Sequence, residues 1–395
     1  MFIVFYILAA LLVFFSYRSF RGGTDYLNYF EKELAKPSSD FTPFATIFAP
    51  CKGLDQGLKE NLEALLVQDF PDYEVIFVVD DEDDAAVPVI CGLPGDSKLV
   101  VAPKSTVSSQ KVENLREAVL HASAGSRVFV FADSDARPGR DWLRHLVAPL
   151  EDEKVGIATG YRWFISPRRG FASELRSVWN ASIASSLGPG RGNAFCWGGA
   201  LAIGRETFER LNIREKWLGT VSDDFVLARE VRAAGMPIVF VPQALTPSVE
   251  DCTFREMLEF TTRQMKLTRV YARALWRLSF FGSGLFNFVM LTAILVLAVD
   301  RQNIFALAAA IFTLITVSLF SIGKSLLRLR AVALVLPHHC ESVRKQGLTQ
   351  MSFWAITPAL FFYNCAAALL SRRIEWRGNR YILVSPTETV ILPKR

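Results

Sequence analysis

Four uncharged, strongly apolar stretches break the chain: residues 1–16, 280–299, 303–322 and 353–370. About 20 apolar residues cross the hydrocarbon of a bilayer, so each is a candidate span. The first reads as an uncleaved anchor. It has no basic residues before it and no small-residue cleavage site before Arg18, as a secretory leader would. Arg18, Arg21 and Lys32 follow it, which by the positive-inside rule places residue 21 onward in the cytoplasm. Asp300, Arg301 and Gln302 form a tight polar turn between the second and third stretches, and Lys324, Arg328, Arg330, Arg344 and Lys345 follow the third. Pro358 and Asn364 suit the fourth to a broken or re-entrant segment. Counting four crossings puts the tail outside. Its Arg372, Arg373, Arg377, Arg380, Lys394 and Arg395 argue for inside, and the pattern leaves both readings open.

Residues 21–279 alternate differently. Short β-rich runs at 42–50, 73–81, 98–103 and 127–136 are separated by helical patterns at 57–69 and 109–122. Strands alternating with helices of this length predict βαβ units and a parallel sheet. On such sheets, ligands bind beyond the carboxyl ends of the strands, and the acidic clusters of this chain stand there.

Composition sharpens the picture. Hydrophobic residues make up 51% of the 395 and mean hydropathy is +0.25, which favours membrane segments over a purely soluble chain. The 31 Phe and 8 Trp exclude a largely disordered chain. A net charge of +5 without interleaved aromatic and basic residues is not that of a nucleic-acid binder. Cys51, Cys91, Cys196, Cys252, Cys340 and Cys365 lack zinc-site spacing and read as reduced, mostly buried thiols. His338 and His339, in a basic loop with no carboxylate nearby, read as facing headgroups.

Three acidic groups carry candidate chemistry. Asp80–Asp84 end an apolar strand, either to accept a hydrogen bond from a base or as a solvated loop capping the next helix. Asp133 and Asp135 leave the next strand as Asp-x-Asp. Hard Mg²⁺ or Mn²⁺ prefers such oxygens and would bridge them to a diphosphate. Ser222, Asp223 and Asp224 open a helix over 225–235. Capping and a general base at Asp224 are compatible there. A basic helix over 254–277 comes next. Arg255, Arg263, Lys266, Arg269 and Arg273 fall within about 120° of its circumference, a face that would meet either anionic headgroups or a diphosphate.

In this order, the acids and the basic helix resemble a family 2 inverting glycosyltransferase of the GT-A fold. Within that group the chain is similar to ceramide glucosyltransferases and their bacterial relatives, including hopanoid-associated ones. The matching stretches are residues 50–84, QKVENL (110–115), ADSD (132–135), GFASEL (170–175), SDDF (222–225), RQMKL (263–267) and IEWRGNRYIL (374–383), nearly the whole chain. The resemblance implies that Asp80 or Asp81 binds the uracil of a UDP-sugar, and that Asp133 and Asp135 bind metal and diphosphate. It implies that Asp224 deprotonates the acceptor hydroxyl, and that Lys111 and Asn114 lie beside the donor. It places Arg263 and Lys266 with the donor, where Lys266 and Leu267 replace the Arg and Trp of the family pattern. Trp197, in WGGALAIGRE, and Asp223 fall on the acceptor side, and Gly198 and Gly199 permit close backbone approach.

The expectation is an α/β GT-A (nucleotide-diphospho-sugar transferase) domain with an N-terminal transmembrane anchor and C-terminal transmembrane helices. The anchor covers 1–20, the cytosolic domain 21–279, a membrane bundle 280–371 and a basic tail 372–395. The implied reaction moves a hexose, glucose first, from a UDP-sugar to a membrane lipid hydroxyl with a ceramide-like acceptor. Alternatives are a hopanoid or other lipid transferase using UDP-GlcNAc, a polysaccharide synthase, and a non-catalytic membrane scaffold. The partners are a UDP-sugar, a lipid, the bilayer and Mg²⁺ or Mn²⁺, with no nucleic acid. The protein is expected in a bacterial inner membrane with its catalytic domain facing the cytoplasm.

Overall fold

The computed structural model describes residues 2–189, 195–299 and 302–393. Of the polar turn expected at 300–302, Asp300 and Arg301 lie outside the described residues, as do Lys394 and Arg395. Two compact units emerge. One joins Lys32–Ser173, Leu187–Cys252 and Arg372–Arg395, and the other joins Met1–Glu31, Glu174–Ser186 and Thr253–Ser371.

The first unit is built on seven strands: β1 (Ala45–Pro50), β2 (Tyr73–Val79), β3 (Lys98–Val101), β4 (Val128–Ala132), β5 (Ile157–Ile165), β6 (Ala200–Gly204) and β7 (Ile238–Val249). Their order is β3-β2-β1-β4-β6-β5-β7. The four strands and two helices read from the periodicity are present. The parallel sheet expected from them is a mixed one, because β6 runs antiparallel to both β4 and β5 while the other six strands share one direction. The sheet agrees with the GT-A arrangement that the resemblance implies.

Strands covered on both faces read as continuous apolar runs, and β1, β2 and β4 do so. Phe48 and Phe131 stack at 5.5 Å, and Phe131 meets Trp217 edge-on at 5.5 Å. Trp217 is wholly buried, and its indole N–H donates to the Asp223 carbonyl at 3.0 Å. The aromatic core thereby fixes the start of the helix Asp223–Ala233. β5 carries an irregularity between Thr159 and Tyr161. A Cβ on Gly160 would lie 2.0 Å from the Ala244 carbonyl oxygen of β7, so only glycine fits there.

The tail, expected as a basic extension, forms β8 (Arg373–Trp376), β9 (Asn379–Ser385) and β10 (Glu388–Leu392), a three-stranded antiparallel sheet. A two-residue turn joins β8 to β9, with Arg377 at φ 50° and Gly378 at φ 75°. Such a turn needs positive φ at both positions, and an arginine there costs about 1–2 kcal/mol.

In the second unit, the helices Phe2–Leu34, Arg273–Val299 and Ile304–Val335 are long and apolar enough to cross a membrane. Phe5, Ala9 and Leu12 pack with Val289, Ala293, Ala306 and Ala310. A Cβ on Gly323 would lie 2.8 Å from the Phe20 ring, so the first and third helices cross closely at that glycine. The fourth apolar stretch is broken. Gly347–Ala355 and Thr357–Leu370 meet at 57°, with Pro358 at the start of the second piece.

The basic helix expected over 254–277 ends earlier. Helix Phe254–Tyr271 opens on a Thr253–Glu256 capping box and stops at Ala272, and Arg273 begins the next helix. Arg273 and Arg277 therefore do not share a helical face with Arg263. Arg269 donates to the carbonyls of Ala368 and Leu369 at 2.5 and 3.1 Å, the free C-terminal end of Thr357–Leu370.

Candidate functional site

The carboxyl ends of β1, β2 and β4 carry the chemistry. Beyond β1, Lys52 Nζ meets Asp80 Oδ1 at 2.5 Å and Asp84 Oδ2 at 3.4 Å. Lys104, beyond β3, adds contacts to Asp80 Oδ2 at 3.2 Å and Asp81 Oδ2 at 2.9 Å. Burial raises the Asp80 carboxyl, but the hydrogen bonds and charges of Lys52 and Lys104 outweigh it, so the group is held below its ordinary value. Asp80 is buried and Asp81 half-buried, so of the two residues left open by the sequence, Asp80 is the one enclosed at the end of β2. Asp84 accepts from the Gly53 and Ala86 N–H groups, which ties it into the loop before the helix Ala86–Cys91.

Asp133 and Asp135 leave β4 as expected, and both meet Arg162. Arg162 Nη2 lies 2.8 Å from Asp133 Oδ2 and Nη1 lies 3.1 Å from Asp135 Oδ2. The guanidinium also covers the Trp197 ring at 4.6 Å. Arg162 went unread in the sequence. Its signal was a lone charge inside the apolar strand Ile157–Ile165, where a buried cation needs a charged partner.

Lys111 is no solvated helix lysine. Its Nζ lies 2.8 Å from Asp133 Oδ1 and 3.3 Å from Asp223 Oδ1. Burial would lower its pKa, but Asp133 and Asp223 reverse that and hold the ammonium above its ordinary range. Burial likewise pushes the Asp133 carboxyl up, while Lys111 and Arg162 bring it below the usual range. For Asp223 burial wins: Lys111 pulls the other way, Asp224 and Asp133 push with burial, and the carboxyl is raised to about 6.

The third acidic pair divides its work. Asp223 faces Lys111, and its Oδ2 is buried without a hydrogen-bond partner. Asp224 Oδ1 accepts from the Ser222 hydroxyl and from Phe225 N–H at 2.7 Å, and its Oδ2 accepts from Gly198 N–H at 3.4 Å. A Cβ on Gly198 would sit 2.3 Å from Asp223 Oδ2, and one on Gly199 would sit 2.7 Å from Asp133 Oδ2. The two glycines allow the close approach read from the sequence.

Trp197 is buried against Tyr161 and Arg162. Asn114 is buried and accepts from the Gln110 amide at 2.9 Å. Arg263 and Lys266 lie on Phe254–Tyr271, in the other unit. Burial lowers the Lys266 pKa. Cys51, Cys196 and Cys365 are buried, whereas Cys91 and Cys340 are exposed and Cys252 lies between. All six are unbridged, but fewer are buried than the sequence suggested.

Among the described residues, no three His, Cys, Asp or Glu side chains gather as a metal cluster. Asp133 is already committed to Lys111 and Arg162, but Asp135 Oδ1 is a buried acceptor without a partner. A hard cation completed by water and phosphate oxygens needs only one or two protein carboxylates, so the donor set fits.

Two solved structures are similar over most of their length. A mannosyltransferase from Pyrobaculum calidifontis, in complex with GDP-Man and Mn²⁺, is 18% identical, covers 93% of this chain and 98% of its own, and has a TM-score of 0.47. Glucosyl-3-phosphoglycerate synthase from Mycobacterium tuberculosis, in complex with Mn²⁺ and UDP-glucose, is 16% identical over 62% of this chain and 82% of its own, with a TM-score of 0.35. Neither likeness is close enough to speak for the substrates of this chain. A family model matches residues 5–389, and its number is 21 where the resemblance implied family 2. The chain belongs to glycosyl transferase family 21.

Proposed function

We propose that the protein transfers a hexose, glucose first, from a UDP-sugar to the hydroxyl of a membrane lipid, with inversion and with a ceramide-like acceptor. The observation that carries this reading is one cluster at the strand ends, in which Asp133, Asp135 and Asp223 are tied together by Lys111 and Arg162, with Asp224 oriented beside them.

In this mechanism, Asp80 accepts a hydrogen bond from the uracil. Asp224, its carboxylate oriented by Ser222, Phe225 and Gly198, takes the proton of the lipid hydroxyl. The hydroxyl oxygen bonds to the anomeric carbon as the bond from that carbon to the diphosphate oxygen breaks, so UDP leaves from the opposite face. Lys111 lies in the same cluster and favours the negative charge that builds on the diphosphate. Asp135, with Asp133 beside it, would hold Mg²⁺ or Mn²⁺, whose chemistry is Lewis-acid neutralisation of the same charge. Trp197 and Asp223 line the acceptor side. Arg263 and Lys266 are assigned to the donor by family resemblance alone.

The test supplies the purified chain in detergent with Mn²⁺, UDP-glucose or UDP-GlcNAc, and one lipid at a time. Glucosyl-ceramide with matching UDP release is the expected result. Product with a hopanoid, or only with UDP-GlcNAc, moves the substrate to that alternative. UDP-sugar turnover without any lipid product would sink the lipid-transferase reading.

The catalytic acids and the tail belong to one compact unit, held together by contacts such as Arg377–Asp55. That supports a reading in which the chain between 252 and 372 leaves and returns on one face of the membrane. In it, Arg273–Val299 and Ile304–Val335 are two crossings, the bent segment 347–370 is re-entrant, and the catalytic domain and tail share the cytoplasm. In a chain with Cys91 and Cys340 replaced by serine, Asp96→Cys and Glu388→Cys are expected to react with an impermeant maleimide from the same face of sealed vesicles. Labelling from opposite faces would make the bent segment a true span.

A further inference from the structure

The C-terminal sheet is attached to both flanks of the acidic cluster. The Tyr381 hydroxyl accepts from the Gln110 backbone N–H at 3.1 Å, one of the free donors at the start of the helix that carries Lys111. On the other flank, Gly219, at φ 80°, precedes the Ser222–Asp224 run. A Cβ there would lie 2.6 Å from the Thr387 carbonyl oxygen. The turn between β8 and β9 precedes both attachments in the chain, and from it Arg377 Nη2 reaches Asp55 Oδ1 at 2.5 Å. Asp55 in turn accepts from the Ser134 hydroxyl at 2.8 Å, inside the Asp-x-Asp segment.

Arg377 is an expensive choice for that position. Both turn residues have positive φ, which glycine or asparagine adopts freely and arginine does not. Strain held in this way marks a side chain needed for something other than the turn. A role in holding Asp55 alone is a weak explanation, since Ser134 already serves that carboxylate. The cluster otherwise contains two enclosed cations, Lys111 at 16% side-chain exposure and Arg162 at 11%. Arg377 is 41% exposed. It is the most exposed cation of the three, the one a ligand can reach from solvent, and only the Ser134 hydroxyl would remain on Asp55 after an exchange.

We propose that Arg377 binds the diphosphate of the sugar nucleotide: when the donor enters, its guanidinium exchanges the Asp55 carboxylate for phosphate oxygens. The planar fork suits a diphosphate as well as it suits a carboxylate. The C-terminal sheet is then part of the donor site, contributed from more than 240 residues beyond Asp133 in the chain. This inference rests on the glycosyltransferase reading but not on the identity of the sugar or the lipid.

The experiment measures UDP and UMP binding to the full-length chain in detergent with Mn²⁺, by calorimetry, for wild type, Arg377→Lys and Arg377→Gly, together with thermal unfolding. Arg377→Gly removes the strain and the cation together. Whatever the loss of the Asp55 ion pair does to its unfolding temperature, it should bind UDP about 10–100-fold more weakly, so that the preference for UDP over UMP collapses. Arg377→Lys keeps the charge without the fork and should fall between. Unchanged UDP affinity in Arg377→Gly would overturn the proposal. So would an equal loss for UDP and UMP with earlier unfolding, which is the mark of a structural ion pair. If wild type binds GDP instead, the uridine reading fails and GDP against GMP tests Arg377. If it binds no nucleoside diphosphate at all, both readings fall.

Discussion

Asp224→Asn is expected to lower kcat by about 10²–10⁴ while leaving donor affinity near that of wild type. The amide keeps the size of the side chain and can still cap the helix Asp223–Ala233, but it cannot take a proton. Its neighbour should behave differently. Asp223 is buried, and its Oδ1 faces Lys111 at 3.3 Å, so Asp223→Asn should act through the lysine on donor affinity and folding. The carboxyl of Asp223 is raised to about 6 in the folded chain, against about 3.9 for an unperturbed aspartate. An acid raised on folding binds its proton more tightly in the native state. Its contribution is complete below the unfolded value and is lost as pH rises through the folded one. Between about pH 4 and 6, wild type should therefore lose stability relative to Asp223→Asn, which has no proton to release. Thermal unfolding across that range checks this. An equal fall in kcat for Asp223→Asn, with Asp224→Asn harmless, would move the base one residue back.

The acids were legible because each follows a buried strand or opens a helix. An apolar run that ends in carboxylates leaves little choice about where they lie. Lys111 was legible only through resemblance, since nothing in the local pattern of QKVENL distinguishes a lysine that bridges Asp133 and Asp223 from a solvated one. Arg162 and Arg377 were missed for a different reason. Their partners are 27 and more residues away, and pairing across that distance is decided by how strands stack, not by spacing. The reversed β6 has no local signature either, because an apolar strand reads alike in both directions. The basic stripe failed at Ala272, where the helix stops without a proline or glycine to announce it. A helical wheel assumes one unbroken helix, and this one breaks at Ala272 before the next begins at Arg273.

Arg162→Met should be the most destabilising of the single changes considered, by about 3 kcal/mol, because it leaves the largely enclosed Asp133 and Asp135 carboxylates without the cation between them. Lys111 remains on Asp133, but Asp135 loses the Arg162 guanidinium and already has one unpaired oxygen. A divalent ion supplies the missing charge. Mn²⁺ should therefore raise the unfolding temperature of Arg162→Met more than that of wild type, where the guanidinium already neutralises the pair. Arg162→Lys, which keeps the charge but cannot hold both carboxylates in one plane, should lie between the two. Asp135→Ala is the complementary variant. It removes the unpaired oxygen, so it should stay folded, lose the Mn²⁺-dependent shift and abolish transfer. Near-normal turnover of Asp135→Ala with EDTA present would remove the metal from this site. Equal Mn²⁺ shifts in wild type and Arg162→Met would mean that Arg162 and the metal do not share these carboxylates.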